Sequence, residues 1–423
     1  MAGSEKNNQL SELISSGIYR LDCSNAVFLD PVRILNCNYA RFRISSSAYY
    51  SRFFDSKSVE EEGNSSISIK SRKRKRKQNK PRILNEKEQV ADRRHQEARP
   101  LLVKAHEALL EASDLLDVMR DLRTGSGEWE CRDLNSRGAK SRFIELGKIW
   151  QAPLYEITLK FSKADKETEN EGLPIIHDDG QRVVPVFNNI VLNDTKYDLE
   201  ADFLGAQYII PRESCFYMSG MGQMDNLIPG DSDCGFNLIV IDPPWENRSA
   251  YQKSIYPTLP NRHLLSLPIK QLTHTEGALV ALWITNREKL WVFVKNELFP
   301  AWGVSYITTF YWLKVKADGS LICDMDHFHH RPYECLLLGY GSGKVIASEQ
   351  LLVGKPLKGN QVIISIPGAY SRKPPIGELL LDYVPGPRPA RCIDLFAREI
   401  MAGWTSWGNE PLHFQDLRYF FAK

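Results

Sequence analysis

Cysteine is sparse and scattered. The eight residues (23, 37, 131, 215, 234, 323, 335, 392) form no C-x-x-C pair. Such spacing builds neither a zinc module nor a disulfide framework, and it suits a reducing compartment. No apolar run reaches the roughly 18 residues that a bilayer-crossing helix needs, so no membrane span is expected. The first eight residues lack the apolar core of a secretory signal, and none is expected. Charge of one sign is not in excess either, with 54 Lys/Arg against 52 Asp/Glu. The charge is unevenly placed, however. Residues 70–82 carry nine Lys/Arg and no acid, which leaves 45 bases facing 52 acids elsewhere and a remainder of net −7. A polyanionic partner must therefore be met by local patches. With 43% hydrophobic residues in 423, the chain affords a substantial core and room for two or three domains.

Composition divides the chain into four parts. Residues 1–60 mix apolar and β-prone runs and read as a small β-rich unit. Residues 61–85 read as a basic, solvated linker around Arg72, Lys73, Arg74, Lys75, Arg76 and Lys77, where like charges repel. That run is expected to be a nuclear address read by an importin, with a phosphate-binding arm or a partnerless tether as alternatives. Residues 86–205 begin with a long helix, in which Val90, Leu101, Leu102, Ala105, Leu109, Leu116, Met119 and Leu122 recur at helical spacing. Pro100 is expected to break or kink it. A mixed segment follows, with a hairpin expected at Asp179-Gly180. From 206 to 423, apolar strands (237–241, 278–284, 305–313, 334–339, 362–366, 392–396) alternate with helix-length stretches, which indicates an α/β sheet covered on both faces.

One of those strands runs straight into Asp242-Pro243-Pro244-Trp245. In open α/β sheets ligands sit beyond the carboxyl ends of strands. The prolines stiffen the turn, and a carboxylate, a carbonyl and an aromatic face then project from one rigid loop. The set suits an exocyclic base amine, whose lone pair is delocalised into the ring. Asp242 and the Pro243 carbonyl can each accept one N–H, and Trp245 can stack on the base. An electrophilic methyl held in line completes a transfer by positioning and electrostatics.

Asp-Pro-Pro-Trp resembles the MT-A70-like adenine N6-methyltransferases. Ser371–Pro374, Asp394–Arg398 and Gly403–Glu410 agree with that family in order, as do Thr285–Arg287 and Arg331–Glu334. The resemblance implies a Rossmann-like S-adenosylmethionine methyltransferase sheet in permuted motif order, behind a mixed α+β N-terminal region. It implies cofactor contacts at Ser219, Asp242, Lys373, Phe396, Arg398, Asn409 and Glu410, with core packing an equal reading for Phe396. Substrate contacts are expected at Asn247, Arg248, Tyr256, Trp283, His330, Arg331 and Glu334, although Trp283 also fits a core. The zinc fingers of the family's main mRNA methyltransferase are absent, and the glycine-rich turn of ordinary methyltransferases is missing after strand 391–396. Ile400 and Met401 stand where that mRNA enzyme has His-Asn. The acidic-histidine stretch 324–331 matches no zinc pattern, so no metal is expected.

The implied activity is S-adenosylmethionine-dependent N6-methylation of an unpaired or flipped adenosine. One branch of the family implies 2′-O-methyladenosine of a small nuclear RNA (U2). DNA adenine, or a silent RNA-binding subunit of a methyltransferase complex, is the alternative. A nuclear monomer rather than an obligate heterodimer is expected. Deleting 70–82 should abolish nuclear accumulation of a fluorescent fusion and leave turnover on a short oligonucleotide intact. Collapse of turnover would make the run a substrate arm.

Overall fold

The computed structural model describes residues 2–22, 24–51, 85–122, 143–161, 180–246, 258–327, 330–341, 357, 359–369 and 371–423. Asn247, Arg248, Tyr256, the run Arg72–Lys77 and nearly all of the expected linker lie outside these residues.

Strands are named in chain order. The N-terminal stretch supplies β1 (Ile18–Leu21), β2 (Ala26–Leu29) and β3 (Phe42–Ile44). The middle supplies β4 (Glu156–Lys160), β5 (Gln181–Pro185), β6 (Ile190–Asn193), β7 (Leu199–Phe203), β8 (Ala206–Ile210) and β9 (Ser214–Met218). Then come β10 (Leu238–Ile241), β11 (Ala278–Ile284), β12 (Val304–Lys314), β13 (Tyr333–Gly341) and β14 (Val362–Ser365). The chain ends with β15 (Cys392–Leu395), β16 (Trp404–Gly408) and β17 (Phe420–Ala422).

Among the described residues, one eleven-stranded sheet runs β1-β2-β14-β12-β13-β11-β10-β15-β16-β9-β6. Its centre, β11-β10-β15-β16-β9, is wholly parallel. Strand β13 runs against both β11 and β12. This is the expected α/β sheet in permuted order, since β10 precedes β15 in the chain but lies beside it in space. The apolar strands are buried on both faces. Ile239 and Ile241 of β10 join one core with Leu290 and Trp302, while Leu238 and Val240 join another with Ile376, Leu379 and Leu380. Alternation along the strand divides the residues between the faces, and each buried aliphatic contributes roughly 1.5–3 kcal/mol.

The N-terminal stretch is not a separate unit. A two-stranded hairpin cannot bury a face of its own, so β1 and β2 extend the main sheet through parallel pairing of β2 with β14. Strand β3 pairs with β17 at the other end of the chain. Nor does a boundary fall at 205/206, which would cut the β7–β8 hairpin at its tight turn. Leu204 and Gly205 both take positive φ there, the twist that two-residue hairpins favour. Strands β5-β4-β7-β8 form a second sheet, and the described partner of β5 is β4. The Pro-Ile-Ile arm expected to pair at Asp179-Gly180 lies outside the described residues. Phe143, Ile157, Phe187 and Tyr208 of the middle region share a core with Ile400 and Leu412, so the two regions are packed as one body.

The long helix starts at a capping box. Asn85 Oδ1 accepts the Glu88 N–H at 2.9 Å, and Glu88 Oε2 accepts the Asn85 N–H at 3.0 Å. It runs through Pro100 unbroken from Glu86 to Glu111, and the chain interrupts it at Ala112 instead. Ties before the proline, and after it a 2.9 Å contact of the His106 ring with the Gly319 carbonyl, outweigh the one lost hydrogen bond. Arg94 meets Glu288, and His95 and Arg99 share Asp326. Leu102, Ala105 and Leu109 are buried as expected, whereas Val90 is exposed.

Asp198 fixes the N-terminal stretch to the middle region. Its buried carboxylate accepts the N–H groups of Ala40, Arg41 and Phe42 at 3.0, 2.7 and 3.3 Å. Asp198→Ala leaves those donors without their acceptor and should cost about 3 kcal/mol in urea unfolding, with Asp198→Asn losing less. An unchanged midpoint would show that the three bonds are not needed.

Candidate active site

Strand β10 continues to β11 on one side, and its other neighbour, β15, continues to β16 on the other. The crevice therefore opens at the carboxyl ends of β10 and β15. A cavity of about 520 Å³ lies there, walled by Asp242, Pro243, Pro244 and Trp245 from one strand end and Phe396, Ala397 and Arg398 from the other. The Asp242 N–H still donates to the Leu395 carbonyl at 3.3 Å, so the carboxylate is anchored at the last rung of the ladder.

The Asp-Pro-Pro-Trp loop is more internally bonded than the sequence suggests. The Pro243 carbonyl accepts the Trp245 N–H at 2.7 Å, and the Pro244 carbonyl accepts the Leu259 N–H at 2.9 Å. A carbonyl carries two lone pairs, so Pro243 keeps one. Trp245 is only 7% exposed, and its indole N–H donates to the Trp283 carbonyl at 2.8 Å. Its ring is a fixed wall.

A chain of opposite charges crosses the floor. Lys373 Nζ lies 3.1 Å from Asp242 and 3.3 Å from Glu334, and Lys314 closes on the other oxygen of Glu334. Burial alone would raise the Glu334 carboxyl, but Lys314 and Lys373 hold it down to about 2. Burial likewise works against the Lys373 ammonium, yet Asp242 and Glu334 outweigh it and keep the group charged. Pro374 and Pro375 follow Lys373 and stiffen its approach.

At the β15 end, Phe396 takes the left-handed conformation, with φ at +65°. That region favours glycine, and a bulky residue there costs on the order of 1–3 kcal/mol. The turn aims the ring at the cavity and edge-on against Trp407, 5.1 Å away. Gly408 must stay small, because a Cβ would come 2.8 Å from the Ala397 carbonyl. Asn409 and Glu410 follow it into the wall, and Glu410 also meets His413 Nδ1 at 3.2 Å. Ser219 lines the same space. Its hydroxyl accepts the Trp407 indole N–H at 2.9 Å, and its own N–H is taken by the Gly408 carbonyl. Below, Asp394 faces a cavity of about 80 Å³ with Lys373, Arg398 and Met401. Burial, reinforced by Asp242 and Glu399, pushes its carboxyl well above the usual range. Ile400 is wholly buried, so it serves the core.

Residues 236–410 match the MT-A70 family. The chain is 31% identical over 327 residues to the human N(6)-adenine-specific methyltransferase METTL4, covering 75% of this chain and 67% of that protein. The chain belongs to the MT-A70 family. The mouse METTL4 protein is 35% identical over 264 residues, 60% of this chain and 54% of its own length, so the chain spans about half of that relative. The N6-methyladenosine RNA methyltransferase MTA1 of Pyricularia oryzae is 34% identical over 224 residues, 51% of this chain and 57% of its own.

MT-A70 methyltransferases take their methyl group from S-adenosylmethionine. The donor set fits that group. Lys373 offers a cation for its carboxylate, Arg398 and Asn409 offer donors and Glu410 an acceptor for a ribose diol, and Phe396 and Met221 offer apolar surface for its base.

The MT-A70 motif residues converge on the cavity, but three expected substrate residues do not line it. Arg331, 6% exposed, turns to the long helix and donates to the Ala91 carbonyl and to Asp92. The helix packs against β13 and captures the guanidinium that sequence assigned to phosphate. His330 is exposed, and its ring stacks on His327. Trp283 lies in the core beneath Lys373, 5.8 Å from its ammonium. Sequence reasoning also missed part of the wall. Phe143, Ile144, Gly147, Lys148, Phe187 and Asn188 come from the middle region, which carries no motif. His263 and Arg287 join them, and only Arg287 lay in a stretch already marked by resemblance.

Glu334→Gln should lower stability at pH 7 by roughly 3 kcal/mol, an upper figure because the side chain is partly exposed. The native carboxyl lies below its unfolded value, so its contribution is complete above about pH 4.5 and lost as pH falls towards 2. The gap between wild type and variant in urea unfolding should halve by about pH 3. A gap that does not change with pH would show that Glu334 carries no stabilising charge.

Proposed function

We propose that this chain is an S-adenosylmethionine-dependent adenine N6-methyltransferase acting on RNA. The observation that carries this reading is the placement of Asp242 and the Pro243 carbonyl on the wall of one cavity at the sheet's switch point. The bound cofactor supplies an electrophilic methyl group. The chain's own residues prepare the amine. Asp242 and Pro243 each accept one N–H of the adenine amino group, which draws the nitrogen out of conjugation and frees its lone pair. Transfer would break the cofactor's sulfur–methyl bond, leaving a thioether, as the new C–N bond forms, and Asp242 is the carboxylate at the wall placed to take the proton that the amine loses. Lys373 fixes the Asp242 carboxylate in place through the 3.1 Å ion pair. Trp245, tethered through its indole N–H, bounds the base pocket.

The target must reach this recess, so it is unpaired or extruded from a helix. The substrate proposed is adenosine that already carries a 2′-O-methyl group, as in U2 small nuclear RNA, which is what the resemblance of the Asp-Pro-Pro-Trp motif and its companion segments implies. The basic run at 72–77 supports a nuclear site of action.

The test is methyl transfer from labelled S-adenosylmethionine to matched oligonucleotides bearing adenosine, 2′-O-methyladenosine or deoxyadenosine, with the product nucleoside read by mass. N6-methylated product is expected on the RNA forms, with the 2′-O-methyl form preferred. Asp242→Ala should lose more than about a hundredfold in rate with its circular dichroism unchanged. Preference for deoxyadenosine would move the substrate to DNA. Absence of product on all three with cofactor bound would make the chain a silent subunit.

A further inference from the structure

The short helix Phe143–Leu146 and the turn after it stand at the rim of the cavity. Phe143, Ile144, Gly147 and Lys148 line it. The next residues turn outward. Trp150 is 81% exposed, and Leu154 is 72% exposed four residues on. An exposed indole at the rim of a binding recess offers a flat face on which a base can stack. The turn is not loose, because the Gly147, Lys148 and Ala152 N–H groups donate to the Phe143, Glu145 and Ile149 carbonyls. A Cβ on Gly147 would come 3.2 Å from the Phe187 ring, so the turn is pressed against the cavity wall.

We propose that Trp150 is a stacking platform for a nucleotide flanking the target adenine, and that Lys148 beside it holds the strand's phosphate. The inference rests on the reading of the cavity as an adenine site. Two observations and one geometric argument favour a nucleic-acid strand as the occupant. The same turn supplies both the cavity wall and the exposed indole. A cation lies two residues from the ring, and Arg287 and His263 stand elsewhere on the same rim. The recess takes one extruded base beside the cofactor, so that base's neighbours in the strand must lie outside it, at the rim. Aromatic stacking is tolerant of base identity, which suits a platform beside the target rather than a reader of sequence.

The experiment measures binding of a fluorescently labelled 11-nucleotide RNA with one central adenosine, by anisotropy, and initial rates on the same RNA. Trp150→Ala should raise Kd and KM by roughly 5- to 100-fold, the range that loss of one base–aromatic stack gives, with kcat within about twofold. Trp150→Phe should recover most of the loss. Abasic nucleotides on both sides of the target should weaken wild type by the same factor and leave Trp150→Ala unaffected. Lys148→Gln should reduce the slope of log Kd against log salt by about 0.7. Unchanged Kd in Trp150→Ala overturns the proposal and leaves the exposed turn to a protein partner. Because binding is read separately from turnover, a wild type that binds RNA but methylates none refutes the enzymatic reading while the Trp150 comparison still decides this one.

Discussion

The site depends on one half-buried chain of charges, Asp242–Lys373–Glu334–Lys314. Its members come from four places in the sequence: the end of β10, the loop before Gly377–Leu381, the start of β13 and the end of β12. Each charge taken alone would be expensive to bury, and together they compensate. Lys373 is the pivot because it touches the carboxylate meant for chemistry and the one that is structural. The pairing keeps Asp242 oriented at the strand exit and keeps an ammonium where an amino-acid carboxylate would arrive. A ligand that reaches Lys373 must share it with Asp242 and Glu334, so cofactor binding and the posture of Asp242 are coupled through one nitrogen.

The second constraint is strain. At the exit of β15 the chain turns on Phe396 in a left-handed conformation that glycine would adopt without strain. The surroundings fix it there. Ala397 donates its N–H to the Trp407 carbonyl, and the glycine at 408 lets the backbones approach. The cost of the turn is offset by neighbours that were already packed, and what it achieves is an aromatic ring aimed at the cavity.

Much of the catalytic half was legible in the sequence because its signals are local. Continuous apolar strands, two prolines after an aspartate, and a lysine before two prolines describe what they do within a few residues. The less legible parts depend on distant partners. Nothing near Arg331 says that a helix two hundred residues upstream takes its guanidinium. Nothing near Val27 says that it pairs with Ile363 rather than closing a small domain. Pro100 reads as a break until the ion pairs in the turns before it are known. The middle-region wall of the cavity was invisible for the same reason: Phe143 and Gly147 owe their role to where the second sheet packs, and packing leaves no motif. The N-terminal half is thus part of the body that encloses the site.

The most direct test of this account is a crystal structure of the chain with S-adenosylhomocysteine. The account predicts the ligand in the 520 Å³ cavity, its carboxylate on Lys373, its ribose between Arg398, Asn409 and Glu410, and its base against Phe396. A ligand lodged elsewhere, or Lys373 untouched with its carboxylate pairs unaltered, would contradict it.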